Sequence, residues 1–410
     1  MMNKGKETKP HIGIFGRRNV GKSSVFNALT GQDMAIVSPF PGTTTDPVKK
    51  SIEIPGIGPV VLIDTAGIDD TGDLGVKRVA GSKQAIKTID MAILVFSENH
   101  FDNLEQELLD EFYEYGIPCL FLHNKSDLES LNAELKEAIS KQFNQPVMEF
   151  SALQPLHLEE LIGLIRKAMP ATVYREQSLM GDFLRYGDIV LLITPVDTEA
   201  PEGRLILPQV QAIRDVLDND CIAVVLKERE VDAFLRRTNL KPRLAVCDSS
   251  VILKAAASVP KSIPLTGFSI LLARYKGKFD SYLQGTPAIS DLKDGDRILL
   301  LESCTHHVSC DDIGRVKIPR WLKSFTGRDL HFDIVAGLNK LDRPVTDYAL
   351  VIQCGGCMIT RKQLVNRLKP AIDNGIPVTN YGMAIAYMQG VYYRAIEPFV
   401  AADSVSGIPL

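Results

Sequence analysis

The chain lacks the marks of several protein classes. It has no large excess of one charge: 46 Lys and Arg against 50 Asp and Glu leave −4. No chain-wide positive field therefore argues for nucleic acid as a partner. It has no apolar run near the about eighteen residues that a membrane helix needs, since "MAILVF" and "DIVLLIT" are strand-sized. No membrane association is expected. The opening "MMNKGKETKP" is charged but has no apolar stretch, which predicts a polar tail over residues 1–9, not a signal peptide. Cysteine is scarce, and its count of seven is odd, which argues against a disulfide framework and for a reducing, cytoplasmic setting. What is present is ordinary globular composition, 45% hydrophobic and 23% charged, over 410 residues. That length predicts two or three domains.

The first third carries the clearest chemistry. "HIGIFGRRNVGKSSVFNALTG" holds Gly16-x4-Gly21-Lys22-Ser23 between an apolar strand and an amphipathic helix with Val25, Phe26 and Leu29 on one side. This is the context a phosphate-binding loop requires. Glycines let backbone N–H groups curl around a phosphate, and the helix N-terminus adds its positive dipole end. The expected cradle is Gly16, Asn19, Val20, Gly21, Lys22, Ser23 and Ser24. Lys22 should reach the β- and γ-phosphates and Ser23 should bind Mg²⁺.

Four further pieces follow in order. "PGTTTD" offers Thr44 to cover Mg²⁺ and the γ-phosphate. "VVLIDTAG" reads as a buried strand ending in Asp64, suited to a water-mediated Mg²⁺ contact, with the Gly67 N–H placed to sense the γ-phosphate. "CLFLHNKSDL" is a strand ending in Asn124-Lys125-x-Asp127. An aspartate there accepts two hydrogen bonds from guanine, a pair that adenine does not offer. "FSAL" supplies Ser151 and Ala152, whose backbone can meet guanine O6. The expected nucleotides are GTP and GDP, and the expected catalytic set is Lys22, Thr44, Asp64 and Gly67. All lie at strand ends on one sheet edge, where α/β folds bind ligands.

These five elements resemble the small GTPases, most of all the bacterial group that includes Era, Der and the tRNA-modification GTPase MnmE. The resemblance bears on mechanism. Ile68 stands where Ras-like proteins use a glutamine to orient water. Unaided hydrolysis is expected to be slow, on the order of 10⁻⁴ to 10⁻³ per second or less. In MnmE-like proteins an asparagine at the Asn19 position helps hold K⁺ against the phosphates, which implies K⁺ stimulation here. The plainer reading of Asn19 is a loop-forming asparagine.

After a linker at 171–187, "DIVLLIT", "PQVQAIRDVLDND", "CIAVVLK", "EREVDAFLRRT", "LAVCD" and "FSILLARY" alternate strand and helix patterns. They predict a second parallel-sheet unit over 188–265, with Cys221 and Cys247 as buried small apolar residues and a role in packing or self-association.

The last stretch, 266–410, contains the remaining chemistry. "DRILLLESCTHHVSC" has a strand at 297–302 just before Cys304, and "YALVIQC" has another ending in Cys354. A helix, "TRKQLVNRLKPAIDNG", follows Cys357. If the two strands are near neighbours in a parallel sheet, Cys304, Cys354 and Cys357 meet in one crevice. The residues alone leave three readings open: a dithiol relay of Cys354 and Cys357, a zinc site of three cysteines with His306, and an iron–sulfur cluster on three cysteines.

A GTPase followed by C-T-H and, about fifty residues on, C-G-G-C at strand ends resembles the FeFe-hydrogenase maturation GTPases, the HydF family. The resemblance covers essentially the whole chain. It implies an α/β protein of three domains: a P-loop GTPase at 10–170, a dimerisation domain at 188–265 and an iron–sulfur cluster domain at 266–410. The family motif is Cys-x-His, then His-Cys-x-x-Cys. Cys304, His306, Cys354 and Cys357 match it, and Gln353 stands where the second histidine is usual. The implied site is a 4Fe–4S cluster on the three cysteines, with His306 the candidate fourth ligand and His307 and Cys310 bystanders. The implied work is that of a scaffold. It would carry a transient diiron subcluster precursor, cooperate with radical-SAM hydrogenase maturases and deliver to apo FeFe-hydrogenase, as a homodimer or larger homo-oligomer. GTP hydrolysis would gate these encounters. Arg315, Lys317, Arg320, Lys323 and Arg328 either hold the anionic precursor or form a solvated helix face. The competing reading is an Era- or MnmE-like GTPase of tRNA modification or ribosome assembly with a structural zinc site.

Overall fold

The computed structural model describes residues 9–31, 48–54, 57–70, 72–154, 157–169, 178–195, 205–303 and 312–400. The chain divides into two compact units, Met1–Glu176 and Gln177–Leu410.

The first unit is a six-stranded sheet in the order β2-β3-β1-β4-β5-β6. The strands are β1 (His11–Phe15), β2 (Val48–Ile54), β3 (Gly58–Asp64), β4 (Met91–Phe96), β5 (Cys119–His123) and β6 (Val147–Glu149). Only the β2–β3 pair is antiparallel. Helices α1 (Lys22–Thr30), α2 (Gly72–Ile86), α3 (Asn103–Glu114), α4 (Ala133–Phe143) and α5 (Leu158–Ala168) alternate with the strands. β4 is buried along its whole length, as an internal parallel strand covered on both faces must be. Its residues divide by the two-residue period. Met91, Ile93 and Val95 join one apolar cluster, and Ala92, Leu94 and Phe96 join the other. Because β1 pairs with β3 on one side and β4 on the other, the loop after β1 opens at a reversal of strand order.

The second unit holds two four-stranded, all-parallel sheets. The first has the order β10-β9-β7-β8, from β7 (Ile189–Ile193), β8 (Ile222–Leu226), β9 (Leu244–Cys247) and β10 (Leu265–Gly267). Its helices are α6 (Leu207–Asp218), α7 (Val231–Thr238), α8 (Ile252–Ser258) and α9 (Phe268–Lys276). Cys221 and Cys247 are buried in it, and burial pushes both thiols up, so they pack as small apolar groups. The boundary expected after residue 265 falls inside β10.

The other sheet has the order β12-β11-β13-β14, from β11 (Arg297–Leu301), β12 (His331–Val335), β13 (Leu350–Gln353) and β14 (Val378–Asn380). Helices α10 (Phe279–Gly285), α11 (Ile318–Thr326), α12 (Arg361–Asp373), α13 (Tyr381–Met388) and α14 (Tyr392–Ile396) surround it. β11 and β13 are adjacent and parallel, with Leu301 in register with Gln353. β12 lies on the far side of β11, so the strand order reverses between β11 and β13, where open α/β sheets place ligands. α12 starts at a capping box, with Thr360 and Gln363 each accepting from the other's backbone N–H. That cap, three residues after Cys357, fixes where the helix begins. Among the described residues, no helix is long and apolar enough to cross a membrane.

Candidate functional site

In the first unit, the loop between β1 and α1 has the backbone that phosphate binding demands. Gly16 and Gly21 lie at φ 143° and 89°, values that favour glycine. A Cβ on Gly16 would come within 2.0 Å of the Val95 carbonyl oxygen. Asn19 is exposed and left-handed at φ 61°, a conformation asparagine tolerates. Ser24 lies half-buried in the first turn of α1.

Lys22 is 8% exposed, and its ammonium donates to the Arg17 carbonyl at 2.6 Å. Burial pulls it down to about 8, against attraction from Asp64, Asp69 and Asp70. Asp64 is fully buried; its Oδ2 accepts from Ser23 Oγ at 2.6 Å, and its Oδ1 has no partner. Burial raises its carboxyl above the usual range, opposed by Ser23 and Lys22. A desolvated ammonium and an orphaned carboxylate oxygen on one rim call for an anion and a cation. Triphosphate and Mg²⁺ fit that demand.

Gly67 is buried, and a Cβ there would meet Arg18 Cγ at 2.5 Å. Next to it, the Ile68 N–H donates to the Gly16 carbonyl at 3.3 Å. Asn124, 2% exposed, joins two loops: its Nδ2 donates to the Val20 carbonyl at 2.8 Å, and its Oδ1 accepts from the Ala152 N–H at 3.1 Å. Lys125 is left-handed at φ 61°, and Asp127 beyond it is exposed. Ser151 is buried and its Oγ accepts from the Gln154 N–H. The rim thus gathers Gly16, Val20, Lys22, Asp64, Gly67, Asn124 and Ala152; Thr44 lies outside the described residues.

Sequence spacing gave no hint of the support behind this loop. Arg17 donates from Nε to Glu105 Oε1 at 2.7 Å and from Nη2 to Glu105 Oε2 at 3.0 Å, and it also pairs with Asp102. Glu105 is fully buried, and Asp102 caps α3. The loop residue whose carbonyl holds Lys22 is therefore clamped to the start of α3. On the other side, Asp69 accepts the Arg18 N–H at 2.7 Å, and the Arg18 guanidinium lies near both Asp69 and Asp70.

The second unit places Cys354 at the C-terminal end of β13, at the reversal of strand order. Its backbone N–H donates to the Leu301 carbonyl at 2.9 Å. Its sulfur accepts the Ser303 N–H at 3.1 Å, lies 2.9 Å from Ser303 Oγ and receives Gln353 Nε2 at 3.4 Å. Gln353 is fully buried, and its Nε2 also donates to Ser303 Oγ at 3.0 Å, while its Oε1 has no partner among the described residues.

The loop after Cys354 turns at Gly356, φ 68°, where a Cβ would meet Leu364 Cδ1 at 2.4 Å. Lys276, at the end of α9 and 4% exposed, donates to the carbonyls of Gly356, Cys357 and Ile359 at 2.9, 3.3 and 3.0 Å. Cys357 is half-buried and packs against the apolar cluster that includes Leu271 and Leu272. Cys304, His306, His307 and Cys310 lie outside the described residues. Among the described residues, no three His, Cys, Asp or Glu side chains are gathered as a metal would need.

Around Cys354 stand groups that no motif announced. Arg367 of α12 donates to the carbonyls of Glu302 and Val335, both at 2.6 Å. Burial pulls its guanidinium down to about 10, against attraction from Cys354, Tyr381 and Glu302. The Glu302 carboxylate is held by Arg315, with Nη2 2.7 Å from Oε2. Tyr381 of α13 is buried and, among the described residues, its hydroxyl has no partner. Of the basic residues noted in sequence, Arg315, Lys323 and Arg328 pair with Glu302, Asp329 and Asp294, and Arg320 is exposed.

The sheet order, the phosphate-loop backbone and the buried Lys22–Asp64 rim define the first unit as a P-loop GTPase domain. Three family models match the chain. A 50S ribosome-binding GTPase model matches residues 11–125, the hydrogen maturase F dimerization domain matches 179–277, and the hydrogen maturase F tetramerization domain matches 280–398. The chain belongs to the hydrogen maturase F (HydF) family. It has the family's three-domain layout and carries the two domains through which such proteins self-associate.

Curated relatives match over the first unit. A tRNA modification GTPase MnmE from Nitrosomonas europaea is 36% identical over 170 residues, which is 41% of this chain and 36% of the relative. A GTPase Der from Kosmotoga olearia is 34% identical over 171 residues, 38% of each chain. The chain thus spans little more than a third of the length of these relatives. Among solved structures, a variant of Aquifex aeolicus Era bound to GDP.AlF4- is 22% identical at a TM-score of 0.36, covering 55% of this chain and 97% of that one.

Proposed function

We propose that the chain hydrolyses GTP with its first unit and holds an iron–sulfur cluster with its last domain, as a scaffold in FeFe-hydrogenase maturation. In the nucleotide site, Gly16, Asn19, Val20, Gly21, Lys22, Ser23 and Ser24 cradle the phosphates. Ser23, Thr44 and Asp64 serve Mg²⁺, and Gly67 reports the γ-phosphate. Asn124, Lys125, Asp127, Ser151 and Ala152 bind guanine. Lys22 supplies positive charge where negative charge grows in the transition state. Asn19 helps hold K⁺ there, so turnover in K⁺ exceeds turnover in Na⁺ at equal ionic strength. Equal rates remove that role.

Cys304, Cys354 and Cys357 hold the 4Fe–4S cluster, with His306 the candidate for the fourth position. When bound, the cluster supplies an iron site for docking a diiron subcluster precursor. The chain's own residues hold the thiols in place: Ser303 and Gln353 donate toward the Cys354 sulfur, and Lys276 sets the course of the loop to Cys357. Nucleotide binding falls to the first unit, self-association to the dimerization and tetramerization domains at 179–277 and 280–398, and the cluster to the last of these. GTP hydrolysis gates encounters with radical-SAM maturases and apo-hydrogenase, by ordering and releasing the switch segments.

One observation carries the cluster assignment. The reversal of strand order between β11 and β13 sets the Cys354 sulfur 3.1 Å from the Ser303 amide, and Cys304 is the next residue in sequence. Among the described residues, the neighbouring Gln353 Oε1 has no partner, which suits a polar occupant. Iron, sulfide and zinc analysis after anaerobic reconstitution tests the reading. The expected result is about four iron and four sulfide per chain, lost in Cys354→Ser. Zinc without iron overturns it in favour of a GTPase with a structural zinc site.

A further inference from the structure

We propose that Asp69 is a positioning residue for the nucleotide reaction: by accepting the backbone N–H of Arg18 it holds the segment that carries Gly67 against the phosphate loop before nucleotide arrives, and so sets the preference of the site for a triphosphate over a diphosphate. The proposal deepens the reading of Gly67 as the reporter of the γ-phosphate and rests on it. Asp69 belongs to none of the sequence pieces that announced the nucleotide site.

The connection from β3 to α2 forms neither helix nor strand over residues 65–70. Its first residue is anchored, since the Thr65 N–H and hydroxyl both donate to the Ile14 carbonyl, at 3.3 and 2.7 Å. Beyond Thr65 the ties run to the phosphate loop. The Ile68 N–H donates to the Gly16 carbonyl at 3.3 Å, a long bond, and Asp69 Oδ1 accepts the Arg18 N–H at 2.7 Å. A carboxylate on a backbone N–H makes a charge-assisted bond, roughly twice as strong as a neutral one. The Arg18 side chain adds less. Its Nε lies 3.6 Å from Asp69 Oδ2 and 3.3 Å from Asp70 Oδ1, so the guanidinium divides between two carboxylates at more than a good N–H···O distance.

The fit at Gly67 is close. A Cβ there would come within 3.0 Å of the Arg18 nitrogen and 2.9 Å of Asp69 Oδ1. Gly67 therefore lies directly against the two atoms that make the tie. A segment that wanders leaves only a fraction of the molecules able to accept a γ-phosphate, and the apparent affinity falls by that fraction. The Asp69 bond keeps that fraction high. A diphosphate makes no demand on Gly67, so its affinity does not depend on the tie.

The test compares two variants of equal charge in the full-length chain. Asp69→Asn and Asp69→Ala remove the same charge, but only asparagine keeps an oxygen for the Arg18 N–H. Calorimetry measures their affinities for GDP and for the non-hydrolysable GTP analogue GMPPNP, both with Mg²⁺, and hydrogen exchange is followed at Arg18 and over residues 65–70. Asp69→Ala is expected to bind GMPPNP about tenfold less tightly than Asp69→Asn, with GDP affinities within about twofold, and to exchange faster at Arg18 without nucleotide. A merely structural role would weaken both nucleotides alike, and that result overturns the proposal. Equal GMPPNP affinity in the two variants also overturns it. If Asp69→Ala does not fold, the wild-type Arg18 amide decides: protection without nucleotide supports the tie, and exchange at the free-peptide rate refutes it. Wild-type exchange over 65–70 that is the same with GMPPNP as with GDP removes the reading of Gly67, and this proposal with it.

Discussion

The rim around Lys22 and the rim around Cys354 both sit where a parallel sheet reverses its strand order, yet their parts are assembled differently. At Lys22 the working groups and the recognisable spacing coincide. Gly16 and Gly21 lie in the loop after β1, Lys22 and Ser23 in the first turn of α1, and Asp64 ends β3 while Asn124 follows β5 on the same sheet edge. At Cys354 the motif supplies sulfur, while Ser303 and Gln353, from the ends of β11 and β13, supply the polar contacts to it. Among the described residues, the buried Lys22 and Asp64 lack partners of opposite charge at hydrogen-bond distance, a local imbalance that a nucleotide and its metal correct. The Cys354 sulfur already receives N–H donors from its own fold. One rim awaits its ligand's charge; the other has much of its electrostatics in place.

This contrast can be broken in order of expected effect. Lys22→Ala should cut GTP turnover roughly 10²–10³-fold and leave iron content unchanged, as single-turnover assays and iron analysis on one sample will show. A matching loss of iron would mean the two rims are not separable. Next, Glu105→Ala removes the buried one of Arg17's two carboxylate partners, leaving Asp102, and should cost the first unit about 2 kcal/mol, read by urea unfolding. An unchanged midpoint would show that the clamp on the phosphate loop is idle.

The pH response has a definite sign. Lys22 titrates near 8 when folded and near 10.5 otherwise. Between those values the unfolded chain binds more protons, so the nucleotide-free protein gains stability as pH rises from about 8 toward 10.5. The gain is bounded at about 3 kcal/mol and should be absent in Lys22→Met. Equal pH profiles for the two proteins would remove it. Smallest is Gln353→Leu, which deletes the bonds to Ser303 and Cys354 and should cost the second unit about 1 kcal/mol without altering GTP turnover.

The sequence foretold most where chemistry is local. The phosphate loop, the strand ending in Asp64 and the Asn124-Lys125-x-Asp127 corner each declare themselves within ten residues. The strands β11 and β13 were legible as apolar runs, one three residues before Cys304 and one just before Cys354, but their parallel adjacency entered the sequence reading only as a condition, which their register meets. Short elements were not: β10 has three residues, too few for a two-residue period to show. Nor were the supports. Arg17 and Glu105 are 88 residues apart, and Lys276 reaches a loop 80 residues on. No spacing rule links such pairs, because tertiary packing alone brings them together. Arg367 and Tyr381 read in sequence as ordinary members of amphipathic and apolar helices.

The three carbonyls gathered on Lys276 have a consequence of their own. A segment rich in glycine would ordinarily have to be immobilised at the moment it captures an ion, and that loss of freedom weakens affinity. Here the curvature between Gly356 and Ile359 is fixed by an ammonium from a neighbouring helix. The ordering is completed when the polypeptide folds, so a group bound here, as in the proposed cluster, would meet a preorganised mouth.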